Sequence, residues 1–380
     1  MSKNIQKEIA IKRLRQSYPT LPPLIQRHLP STLSALTSIP FGQSTRTDRT
    51  NHFSIDEFKI FMQRKLRLPL WPPPPPLCSC GRHIDIYGDH FFKCKETGKK
   101  ELHDRIRDSV YTICQEIFPI ISDTTKNDVH RELTHIFEKA TQMRPGDIVV
   151  KHPLNSASEP HATTLIDVTI IPPYQSNQPT TSYENVSQNM KTHHQIYEHQ
   201  KFKINDHPKS NSTSEELTSE LVNKRHRMLP FTVDHLGMLG PIATEFLLGT
   251  KNALFKYSPN EYDKRNTSIE TKKLVELALH KKRHVNILTT ANSLWKAAYG
   301  SQWFTNTYHA QSPRQWAKQV LGNTFSLQSS KHILRALNKL NMQTPTTSTK
   351  TPKPQCSSIN LRTPSQYAVR SLRYNLHASA

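Results

Sequence analysis

The chain has 380 residues, 51 Lys+Arg against 30 Asp+Glu, a formal net charge of +21 and only 35% hydrophobic residues. That length suits two or three domains with at least one sizeable core, yet the apolar share falls below the roughly 45–50% of an ordinary globular domain, so much of the chain is expected to be linker, solvated helix or partner-dependent segment. No run of about 18 apolar residues exists, the first residues lack a signal peptide's apolar stretch, and five cysteines with three close together do not suit a secreted disulfide scaffold. These features predict a soluble, intracellular, cationic protein.

Residues 1–53 are basic and punctuated by proline, and read as a flexible arm with a short helix at 4–16. Ser54 followed by Glu57 predicts a capping box that opens an amphipathic helix ending near Leu68-Pro69. Pro72 to Pro76 predict a stiff polyproline spacer. Helical periodicity recurs at 101–118 (Leu102, Ile106, Val110, Ile113, Ile117) and at 128–141 (Val129, Leu133, Ile136, Phe137).

Two strand-like runs follow, 147–150 and 164–171, and the polar segment between them predicts a hairpin. Residues 174–192 and 205–223 are rich in Ser, Thr, Asn and Gln and read as loops, with a short helix at 193–203. Phe231-Thr232-Val233 is a third strand candidate. Gly240-Pro241 predicts a helix to about Phe255, then one long helix over 268–299, and one or two more over 313–341. The residues after Gln343 are expected to be disordered.

The charge is uneven. Beyond Glu276 the last 104 residues hold fourteen Lys/Arg and no Asp or Glu, which is two thirds of the net charge. Such a block seeks a polyanion, because each neutralised phosphate releases condensed counterions. Trp295, Tyr299, Trp303 and Trp316 lie in the same stretch and suit base stacking, or equally the apolar faces of helices.

Cys78, Cys80, His90 and Cys94 form a C-x-C-x9-H-x3-C pattern with Gly81 and Gly88 beside it. Three thiolates and one imidazole are the tetrahedral donor set of structural zinc, and with all four positions filled the site is closed. His83 is a weaker substitute ligand, while Cys114 and Cys356 read as free thiols. Asp147 and Asp167 are costly among Ile, Val and Leu unless something cationic compensates them. Two acids on adjacent strands suit a divalent ion that positions water for phosphodiester hydrolysis, with Glu132 as a third acid. The plain alternative makes Asp147 a turn residue and pairs Asp167 with Arg144 or Arg131.

The order of these features carries a resemblance. Leu66-Arg67-Leu68-Pro69-Leu70-Trp71, the Cys/His pattern, His103-Asp104 with Ile106-Arg107-Asp108, Glu132, Arg144-Pro145-Gly146-Asp147, Ile166-Asp167-Val168-Thr169, then Phe231 and Gly237 to Pro241 follow in sequence. The stretch from about 55 to 300 resembles the C-terminal part of non-LTR retrotransposon polyproteins of the restriction-like-endonuclease type. There a CCHC zinc knuckle follows the reverse transcriptase and precedes a PD-(D/E)xK nuclease.

The resemblance implies that Asp147 and Asp167 hold Mg2+ or Mn2+ at a nicking site, with Glu132 as auxiliary acid. It also implies that Cys78, Cys80, His90 and Cys94 bind Zn2+ and help grip nucleic acid. The family nicks a genomic DNA target, which implies a nuclear location, DNA and the element's RNA as partners, and no membrane. Thr169 occupies the place of the strict pattern's lysine. In these elements the lysine sits on a following helix, and that slot here holds Glu198, so Lys201, one turn on, is the substitute, ahead of Lys203 and Lys191. No polymerase signature is found.

The expected architecture is therefore α+β. A small mixed sheet carries Asp147 and Asp167, flanked by the 101–118 and 128–141 helices, with an N-terminal knuckle and a basic helical C-terminal region. The expected divisions are 1–53 (arm), 54–100 (helix, spacer and knuckle), 101–257 (nuclease-like domain), 258–342 (basic helices) and 343–380 (tail). Two functions compete: a metal-dependent DNA endonuclease, and a catalytically inactive zinc-containing module that holds DNA or RNA. A host regulator docking proteins on its later helices is a third.

Overall fold

A computed structural model of the protein describes residues 9, 12–32, 52–71, 77–122, 125–151, 163–172, 174, 182–202, 213–249, 268–280, 286–299 and 312–343. Residues Met1–Leu340 form one compact unit and Asn341–Ala380 a second, of which only 341–343 are described. The proline spacer, Lys203, Trp303, Cys356 and the tail after Gln343 lie outside the described residues.

The first unit is a mixed α+β structure around a four-stranded sheet, β1 (Val129–Arg131), β2 (Ile148–Lys151), β3 (Thr163–Ile171) and β4 (Arg227–Asp234), in the order β1-β2-β3-β4. The first three strands are antiparallel, whereas β3 and β4 are parallel. The hairpin expectation is met, with Ile148 opposite Ile166 and Val150 opposite Thr164. Pro230 sits in β4 beside Asp167, which is tolerable because β4 is an edge strand and its missing donor faces away from the ladder.

Besides a helical stretch at residues 12–17, the described α-helices are α1 (Pro23–Thr32), α2 (Ile55–Lys65), α3 (Lys99–Ile121), α4 (Tyr183–Phe202), α5 (Ser214–Asn223), α6 (Pro241–Leu248), α7 (Ile269–His280), α8 (Ile287–Tyr299) and α9 (Pro313–Gln343). The Ser54–Glu57 capping box forms in both directions and starts α2. The apolar stripe of α3, from Leu102 through Ile106, Val110 and Ile113 to Ile117, is buried as its spacing predicts.

Five expectations fail. Residues 128–141 are not a helix: Val129 to Arg131 pair with β2, and Glu132 and His135 adopt positive φ, which an α-helix forbids. Residues 183–192 are not a loop but the first half of α4, whose buried stripe is Val186, Met190, His194, Glu198 and Phe202. Two ionisable members hide that stripe from a hydrophobicity reading. Residues 214–223 are also helical, started by a Thr213–Glu216 capping box and anchored by Leu217 and Leu221. The 268–299 stretch is two helices, and α6 ends at Gly249 rather than near Phe255.

The N-terminal segment is not wholly a flexible arm. Tyr18 packs in a small cluster with Val186, Met190 and Met238, and Ser31 Oγ donates to the buried Asp234 carboxylate. The main core runs continuously from Cys78 and Phe91 through α3 and the sheet to Leu274, Leu288, Trp316 and Ile333. Segments 54–100, 101–257 and 258–342 thus share one core. Trp316 belongs to it and Trp295 packs against it, so neither stands out as a stacking platform.

Candidate metal and acid sites

The Cys/His pattern folds into one cluster. The donor atoms of Cys78, Cys80, His90 and Cys94 all lie within 4.8 Å of one another, a group that could hold a metal ion such as zinc. Cys78 Sγ is 3.7 Å from Cys94 Sγ, and Cys80 Sγ is 3.4 Å from His90 Nε2. A tight turn makes this local: Gly81 N donates to Cys78 O, Cys78 N to Arg82 O, and Gly81 takes φ +77°. Gly88, at φ +72°, then opens a short 3-10 helix carrying His90, and Cys94 N donates to His90 O.

Asp85 fixes that segment by accepting from the backbone N–H groups of Tyr87, Asp89 and His90. Burial keeps His90 below the ordinary imidazole range, hence neutral as a ligand must be. Burial and its neighbouring sulfurs push the Cys94 thiol up to about 11. Three sulfurs at this separation become compatible as thiolates only around a cation. His83 is exposed and outside the cluster. Cys114 is buried on α3, and burial pushes its thiol far up.

The acids also converge. Asp147 precedes β2, next to the Ile148–Ile166 pair, so the ladder carries it toward Asp167 on β3. Asp147 Oδ2 accepts from Val168 N at 2.8 Å and lies 3.2 Å from His103 Nε2 on α3. Asp167 Oδ2 lies 2.8 Å from Lys201 Nζ on α4 and accepts from Thr169 Oγ1 at 3.2 Å. Burial raises the Asp167 carboxyl, opposed by the Lys201 charge and reinforced by Asp147. The hydrogen bond to Asp147 raises His103 to about 9, so it is cationic at neutral pH.

Glu132 does not join them. Its carboxylate is bound by Arg107 and Arg144, and among the described residues it forms no metal-sized group with the two aspartates. Asp167 pairs with Lys201 rather than with Arg144 or Arg131. Glu198 points away from the acids: its Oε1 accepts from Thr232 Oγ1 and from Ile242 N in the first turn of α6. Burial pushes this carboxyl up to about 8. Gly240 makes room for it, since a Cβ there would lie 1.9 Å from Thr232 Oγ1 and 2.4 Å from Glu198 Oε1.

His103 is the site residue that the sequence pattern contained without marking. The available signal was its place at i, i+4 with Arg107, one step off the apolar stripe of α3. No protein-family model, no curated protein and no solved structure matches this chain. Among the described residues, no helix is long and apolar enough to cross a membrane.

Proposed function

We propose that this chain is a nucleic-acid-binding, metal-dependent DNA endonuclease-like protein derived from the C-terminal part of a non-LTR retrotransposon polyprotein. One observation carries the reading: Asp147, Asp167 and Lys201, from three separate elements, meet at one end of the β2–β3 hairpin, with Lys201 Nζ 2.8 Å from Asp167. A PD-(D/E)xK-type site needs this trio, and the mixed sheet with its flanking helices is the expected setting. Cys78, Cys80, His90 and Cys94 hold structural zinc.

The donor chemistry suits a hard divalent cation. Two carboxylates share the spot, one of them buried and raised, and a cation would relieve both. Asp147 and Asp167 would hold Mg2+ or Mn2+, which supplies an activated water and charge stabilisation to phosphodiester hydrolysis. Lys201 orients Asp167 and meets developing phosphate charge, while His103 holds Asp147 in place. A genomic DNA target places the protein in the nucleus.

The second reading, a zinc-containing module that holds DNA or RNA without cutting it, draws support from charge balance. His103 and Lys201 already compensate the two aspartates. A supercoiled-plasmid nicking assay with Mg2+ or Mn2+ separates the readings. Cleavage that falls at least ~100-fold in Asp147→Ala and Lys201→Ala, with zinc content unchanged, supports the enzyme. Absence of metal-dependent nicking by the wild-type protein, with salt-sensitive DNA binding intact, selects the binding module.

A further inference from the structure

Away from the acids, α2, the turn after β4 and α9 line a small, partly open cavity. Its polar lining is Arg64, Lys65, His235, Ser326, Ser329 and Ser330, closed by apolar walls. Several donors of these residues are buried without an acceptor: Arg64 Nε, Lys65 Nζ and Ser329 Oγ. Arg64 is only 5% exposed, Ser329 3% and His235 0%. An unmet buried donor costs about 1–3 kcal/mol, so such a group marks a place made for an acceptor.

The charges decide which kind. Asp89 gives both oxygens to Arg67, at 3.0 and 2.7 Å, and lies 3.9 Å from Arg64. Asp234 is taken by Ser31 and by the backbone N–H groups of Leu236 and Met238. Asp85, the third acid near Arg64, is held by the backbone N–H groups of Tyr87, Asp89 and His90, so Arg64, Lys65 and Arg67 face three acids that are already engaged. His28, Asp89 and His235 come within metal-ligand distance of one another, but the two guanidiniums on Asp89 oppose a second cation there. With every acid engaged, Lys65 Nζ, Arg64 Nε and Ser329 Oγ still lack an acceptor, and beside two cationic side chains an anion suits them best.

We propose that this cavity binds a phosphate group, whose several oxygens can accept from Lys65, Arg64 and Ser329 together. Lys65 lines the cavity on a flexible stem, and burial lowers its amine to about 8. Arg64 is held more firmly, stacked 4.2 Å over the Phe92 ring and donating to His235 O. The phosphate is a free or terminal group, or a phosphodiester of a nucleic-acid strand. The site stands independently of the endonuclease reading, since it shares no residue with Asp147, Asp167 or Lys201.

The test uses the zinc-loaded full chain at constant ionic strength, with inorganic phosphate replacing chloride. Phosphate at about ten times its Kd is expected to raise the unfolding midpoint by about 3 °C. Lys65→Gln and Ser329→Ala should each lose most of that shift, Lys65→Arg should retain it, and Lys59→Gln on the exposed side of α2 should leave it unchanged. A short DNA strand with a 5′-phosphate that competes with inorganic phosphate, where its unphosphorylated twin does not, assigns a terminal phosphate. Competition by both strands assigns the phosphodiester, and competition by neither assigns the free ion. Equal shifts in wild type and Lys65→Gln, or no shift with phosphate in a folded wild-type protein, would overturn the proposal.

Discussion

The Cys/His cluster and the acid pair are both built to place charge, but they differ in what they lack. The cluster takes four donors from residues 78–94, with the Lys99 charge near Cys94 to set against three sulfurs. The acid pair takes its parts from α3, the β2–β3 hairpin and α4, and each aspartate already has a cationic neighbour. A site assembled locally depends on its metal to stay folded. A site assembled by the sheet stands whether or not a metal is bound. Removing metal should therefore dismantle the first region and spare the second.

Chelation carries the largest expected effect, because structural zinc contributes roughly 10 kcal/mol of folding free energy in small zinc domains. A chelator is expected to release about one zinc per chain and to abolish hydrogen-exchange protection across 78–94 while that of β3 persists. Metal-free protein with unchanged protection at 78–94 would erase the contrast.

Gly240→Ala probes the other region's scaffold. Its methyl group would strike Thr232 and Glu198, whose bond to Ile242 N positions α6. A loss of more than about 2 kcal/mol in urea unfolding is expected, and a smaller loss would mean that the Glu198 contact gives way freely.

Lys201→Met leaves Asp167 without its nearest cation, at an expected cost of about 1–2 kcal/mol, discounted because Lys201 is partly exposed. The Lys201→Met/Asp167→Asn double variant should recover most of this. Additive losses in that double-mutant cycle would show that the pair is not coupled.

The last effect varies with pH and concerns Glu198, whose carboxyl moves from an ordinary value of 4.5 to about 8 on burial. Between those values only the folded chain holds the proton, so this group's contribution to stability is present below 4.5 and is lost as pH rises through 8. Stability of Glu198→Gln relative to wild type should grow from pH 5 to pH 8 and level off above it. A flat difference would mean that Glu198 stays ionised when buried.

Legibility in the sequence tracked the same contrast. The knuckle's donors, the Ser54 cap and the α3 stripe were readable because each is a pattern over a few turns of chain. The hairpin was readable because both strands carry continuous apolar runs. The α4 stripe was not, since His194 and Glu198 are buried polar residues hydrogen-bonded to Thr232 on a distant strand. Residues 128–141 misled because Leu133, Ile136 and Phe137 face the core at helical spacing without forming a helix.

By itself the sequence determined the four donors around one metal-sized space, the cationic balance and the hairpin that brings Asp147 toward Asp167. These follow from neighbours in the chain, where spacing dictates geometry. Only the tertiary structure decided that Lys201 reaches Asp167, that Glu198 serves α6, and that His103 holds Asp147. Each of those contacts joins residues brought together by a sheet register and a parallel crossover, and no local spacing encodes that distance.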